Sequence, residues 1–106
     1  MNKEIDIPQR DEVLSKLRTF FNERRAVYQL EAIGCFGSVA RSTATADSDI
    51  DVIYRPQAEA KLTLFDIALL REELVNLLGR PVDLIELHQS TPRALRERLE
   101  KEAIYA

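Results

Sequence analysis

Apolar residues along this chain change spacing several times, and each change marks an element. Over residues 9–26, Val13, Leu14, Leu17, Phe20 and Phe21 recur at intervals of three and four with charges between them. That is the period of a helix burying one stripe, and Pro8 stands where a first turn tolerates it. Residues 30–36 differ: Leu30, Ala32, Ile33, Cys35 and Phe36 suit a buried strand. Gly37 and Ser38 then predict a sharp bend, followed by a short helical segment over 39–42 and a small, polar loop over 43–48. A second strand is expected at 49–54; Pro56 argues against its continuing, so 55–61 reads as a loop. Residues 63–78 carry Leu64, Ile67, Ala68, Leu70, Leu74, Val75, Leu77 and Leu78 over a wide apolar face, with Thr63 placed to cap the helix and Gly79 to end it. A third strand spans 81–87. Thr91 and Pro92 predict the cap and first turn of a last helix reaching about residue 103, which leaves 104–106 as a tail. The order is α-β-α-β-α-β-α, an α/β (α+β) pattern whose simplest packing is a small three-stranded mixed sheet flanked by helices.

Composition narrows the class without naming a function. At 106 residues the chain is expected to form one domain spanning 1–106. No apolar run is long enough to span a bilayer, and the first residues lack the hydrophobic core of a secretion signal. A cytoplasmic protein that contacts no membrane is the expectation. A net charge of −3 argues against broad electrostatic binding of nucleic acid, though not against a single nucleotide. Cys35 is the only cysteine, so neither an intrachain disulfide nor a thiolate zinc site is available. Arg93, Arg96, Arg98 and Lys101 alternate with Glu97, Glu100 and Glu102, the mark of a solvated helix face.

The chemistry concentrates between the first two strands, where Gly37 and Ser38 precede Asp49-Ile50-Asp51 by ten residues. In an extended strand Asp49 and Asp51 project the same way while Ile50 and Val52 pack behind. Two carboxylates held that close raise each other's pKa unless a cation lies between them, and a hard ion such as Mg2+ suits oxygen donors. Asp83 lies in the otherwise apolar third strand, whose neighbours imply burial. It either makes a satisfied hydrogen bond or ion pair or, if the third strand lies beside the second, adds a third carboxylate to the site. Ser38 and the amides after it open a short helix, a place that attracts phosphate. Arg41, one turn on, either reaches the same phosphate or pairs with Asp47 or another surface acid. Other motifs fail. Asp47, Asp49 and Asp51 open like an EF-hand loop, but Val52 takes the glycine position and Ala58 that of the closing glutamate. Residues 34–38 lack the lysine of a P-loop and the third glycine of a dinucleotide fingerprint. His88 has no histidine or cysteine companion.

Gly37-Ser38, ten residues, then Asp49-Ile50-Asp51 resembles the signature of the polymerase-beta-like nucleotidyltransferases. Gly-Ser-Val-Ala-Arg followed by Ser-Asp-Ile-Asp is similar to their minimal branch, the MNT proteins, and Asp83 matches the place of the family's third acid. The resemblance covers nearly the whole chain. It implies the polymerase-beta-like fold, with Asp49, Asp51 and Asp83 as catalytic, Mg2+-binding residues, Asp83 also helping to deprotonate the acceptor. It further implies ATP as substrate, its triphosphate bound by Gly37 and Ser38, with Arg41 at the position of an arginine that often follows. Many MNT proteins of the MntA type are antitoxins of HEPN-domain ribonuclease toxins, so the resemblance implies transfer of AMP to a tyrosine of such a toxin. The alternatives are an antitoxin that blocks its toxin by binding alone, and a nucleotidyltransferase subunit acting on a small molecule or RNA. Relatives acting on antibiotics or RNA usually carry a further domain for the acceptor; its lack here favours a protein acceptor. The helix from Thr91 with Ile104 and Tyr105 is expected to form part of the contact with that partner.

Overall fold

The computed structural model describes residues 7–106; the stretch 1–6, expected to hold no secretion signal, lies outside the described residues. The elements run α1 (Arg10–Arg24), β1 (Leu30–Phe36), α2 (Gly37–Ala40), β2 (Ile50–Pro56), α3 (Leu64–Leu78), β3 (Val82–Glu86), α4 (Arg93–Glu102) and β4 (Ile104–Tyr105). Helix α3 begins and ends as its sequence requires. Thr63 and Asp66 form a reciprocal capping box, and Gly79 closes the helix with a left-handed φ of 70°.

The strand order is β3-β2-β1-β4. β1 pairs antiparallel with β2 and β4, whereas β2 and β3 run parallel. Among the described residues the sheet therefore has four strands, not three, because the expected tail 104–106 adds an edge strand to β1. Gly34 permits this approach: a Cβ there would stand 2.3 Å from the Ile104 carbonyl oxygen. Ile104 and Tyr105 are consequently half-buried sheet residues rather than an appendage of an exposed helix.

Two further expectations are corrected. β2 continues to Pro56, since β3 ends opposite Tyr54 and the pairing with β1 slips between Leu30 and Ala32. A missing N–H at that frayed end breaks no ladder bond. Thr91 does not cap α4; its hydroxyl accepts from the His88 amide at 3.2 Å, and Pro92 takes the cap position without a side-chain bond.

Packing differs on the two faces of the sheet. Ile33, Cys35, Ile50, Val52, Tyr54 and Val82 share one core with Leu17 of α1 and Leu70 and Leu74 of α3. On the other face Ile53, Leu87 and Leu99 form a smaller cluster joined by Phe36, Ile85, Ala103 and Tyr105. α4 supplies Leu99 to that cluster, so it covers Ile53 and Ile85 in the row Gly34, Ile53, Ile85. The next row along the strands is Phe36, Asp51, Asp83, and it is here that the site forms.

Candidate active site

Parallel register partners share a face of a sheet, so the pairing of Asp51 with Asp83 sets their side chains next to each other. Ile50 and Val82, the pair before them, are both buried in the main core, which fixes by alternation that the two acids face away from it. The two carboxyls are close enough that the negative charge of Asp83 is felt at Asp51. Asp83 is exposed, against the expectation of burial, and Asp51 half-buried. The apolar neighbours of Asp83 mark one buried face of β3, while the row that holds Asp83 lies beyond the roofed one.

Asp49 lies just before the first residue of β2 and is exposed. Asp51 is pushed above the ordinary carboxylate range, first by burial and then by the charge and hydrogen bond of Asp83 and the charge of Asp49; Arg41 pulls the other way. Among the described residues no three carboxylate, imidazole or thiol groups are gathered tightly enough to grip an ion. The sheet thus joins Asp51 to Asp83 directly and brings Asp49 within electrostatic reach. Chemically the three are hard oxygen donors of the kind Mg2+ takes, and the negative charges of Asp83 and Asp49, which add to the effect of burial on Asp51, are what a divalent cation relieves.

Gly37 lies against Asp51. Its φ is 70°, and a Cβ built on it would stand 2.2 Å from Asp51 Oδ2, so the acid is seated against bare backbone that only glycine offers. The Ser38 carbonyl accepts from the Thr43 amide at 2.8 Å, closing the turn. Arg41 is exposed and forms no ion pair with Asp47 among the described residues, but its charge is felt at Asp51. Phosphate-binding candidates and acids therefore share one edge of the sheet.

His88 is elsewhere. Its Nδ1 is 2.5 Å from Ser90 Oγ and its Nε2 is 3.5 Å from Glu86 Oε2, at the far end of β3 from Asp83. A wide groove lies at that end too, between Arg55, Glu86 and the start of α4, and none of the three aspartates lines it. Sequence reasoning passed over two arginines near the site. Arg10 donates to the Ala40 carbonyl at 3.3 Å, and Arg80 to that of Ala46 at 2.5 Å. An arginine that grips a remote carbonyl leaves no periodic trace in sequence.

A nucleotidyltransferase domain family model matches residues 14–106. A protein of Methanocaldococcus jannaschii, named as a candidate protein adenylyltransferase, is 31% identical over 97 residues, covering 89% of this chain and 94% of its own. A solved structure of a candidate minimal nucleotidyltransferase superposes with a TM-score of 0.70 at 34% identity, covering 88% of this chain and 92% of that one. A chain from a complex of tri-AMPylated Shewanella oneidensis HEPN toxin with MNT antitoxin has the same fold, with a TM-score of 0.63 at 20% identity over 92% of this chain and 71% of that one. With the glycine turn, the paired strand acids and these matches spanning most of its length, the chain belongs to the nucleotidyltransferase domain family and is a nucleotidyltransferase.

Proposed function

We propose that this chain is a Mg2+-dependent protein adenylyltransferase, a cytoplasmic antitoxin that moves AMP from ATP to a tyrosine hydroxyl of a HEPN-type ribonuclease toxin and so silences it. In this reading residues 1–106 are a single minimal nucleotidyltransferase domain. The observation that carries it is the in-register pairing of Asp51 with Asp83 against Gly37, on the row of the sheet that α4 leaves open. The adenylyltransferase name of the archaeal relative supports a protein acceptor, and the toxin complex that shares the fold supports the toxin as that protein.

Asp49, Asp51 and Asp83 would hold Mg2+, which supplies neutralisation of the triphosphate and polarisation of the phosphoryl oxygens. Gly37 and Ser38 cradle the phosphates with backbone, and Arg41 adds a cation on the same side. The acceptor oxygen attacks the α-phosphorus, the bond to the bridging oxygen breaks, and pyrophosphate leaves. Asp83, the exposed acid, takes the hydroxyl proton. The open row leaves this acid reachable by another protein's side chain.

The test is incubation with α-labelled ATP, Mg2+ and the cognate HEPN-type toxin that this reading requires. Label on a toxin tyrosine is expected, and its absence rejects catalysis. Asp49→Ala with Asp51→Ala should abolish labelling; if that double variant still protects cells fully, binding alone neutralises the toxin.

A further inference from the structure

Asp51 and Asp83 are fixed by ladder register, but Asp49 stands outside the ladder at the end of the loop over residues 43–48. That loop is partly self-held: the Thr45 amide donates to Ser48 Oγ at 2.8 Å, and the Ser48 amide to the Thr45 carbonyl at 3.1 Å. It is also tied across to the segment that delivers Asp83. Arg80 Nη1 donates to the Ala46 carbonyl at 2.5 Å. Arg80 sits between Gly79, which closes α3, and Pro81, whose carbonyl accepts from the Ile50 amide at 3.0 Å. The two backbones that deliver Asp49 and Asp83 are thus clasped at two points, and Arg80 makes the outer one.

We infer that Arg80 is a positioning residue for the metal-binding acids, holding the 43–48 loop so that Asp49 stays beside the Asp51–Asp83 pair. The inference rests on the reading of these aspartates as metal ligands. Three like charges push apart, so a tether on the loop backbone is what keeps the outermost one in place. The charges felt at Asp51 are those of Asp83, Asp49 and Arg41, and the Arg80 guanidinium reaches the loop at the Ala46 carbonyl. Loss of a group that orients a metal ligand typically weakens the metal 10-fold to 100-fold.

The experiment measures Mn2+ binding by electron paramagnetic resonance with AMP-PNP present, and amide hydrogen exchange without nucleotide or metal. Arg80→Ala should bind Mn2+ about ten-fold more weakly and exchange faster over residues 43–49, with β1 and α1 unchanged. Arg80→Lys keeps one donor on a long stem and should restore most of both. If Arg80→Ala does not fold, Arg80→Gln, too short to reach the carbonyl, carries the same expectation. Wild-type Mn2+ affinity or unchanged loop exchange in the Ala or Gln variant overturns the inference alone. Failure of the wild-type chain to bind Mn2+ overturns the metal reading and the inference with it.

Discussion

Gly37→Ala separates two costs that a glycine can hide. At φ 70° any residue with a Cβ is strained, by about 1–2 kcal/mol. The new methyl would also stand 2.2 Å from Asp51 Oδ2 and 3.1 Å from its Cγ, well inside contact distance, so the carboxylate must swing away by more than 1 Å. A displacement of that size at a reacting centre costs on the order of 100-fold in rate. Gly79 is the internal control, because it has the same φ of 70° but nothing within 4 Å of its would-be Cβ. Urea unfolding should give Gly79→Ala a loss of about 1 kcal/mol with normal transfer of labelled AMP. Gly37→Ala should lose more stability than that and about 100-fold in transfer. An Asp51→Ala background removes the two closest atoms and leaves the Cβ of residue 51 at 3.5 Å from the new methyl, an ordinary contact. The stability cost of Gly37→Ala should then fall to that of Gly79→Ala. Equal losses for the two glycines in the wild-type background, or full activity in Gly37→Ala, would refute the claim that Gly37 seats Asp51.

Because Asp51 is shifted upward, its contribution to stability is present below the ordinary carboxylate pKa near 3.9 and is lost as pH rises through its own higher value. Asp51→Asn should therefore match the wild type near pH 3.5, on the order of the unperturbed value, and unfold at higher urea at pH 7; lower stability at pH 7 would contradict the shift. Millimolar Mg2+ with AMP-PNP should raise the melting temperature of the wild type and leave that of Asp49→Ala with Asp51→Ala unmoved, since binding to the folded state alone stabilises it. Gly34→Ala meets the Ile104 carbonyl at 2.3 Å and should cost about 1–3 kcal/mol. It should also release β4, seen as faster exchange of the Ala106 amide, which donates to the Ile33 carbonyl at 2.9 Å. Tyr28 donates to Glu73, and burial together with that bond pushes its phenol up to about 12. Tyr28→Phe should lower unfolding free energy by about 1–3 kcal/mol in urea, and no change would mean solvent serves Glu73 equally well.

What the sequence determined by itself is what short-range rules determine. The period of Val13, Leu17 and Phe20 produced α1, the Thr63 box and Gly79 bounded α3, and the alternation around Ile50 and Val52 turned Asp51 away from the core. The ten-residue spacing from Ser38 to Asp49 carried the family. Tertiary structure decided everything that depends on residues far apart in the chain. A two-residue strand has no period to read, and β4 exists because Gly34 lets a distant backbone come close. The apolar neighbours of Asp83 predicted burial, yet exposure followed from α4 roofing the Ile53 row and leaving the next one open. Arg80 reaches a carbonyl 34 residues away. Periodicity and capping act over a few residues, so one segment suffices to reveal them. Which strands lie side by side, and which row of a sheet stays open, is fixed only when the whole core closes.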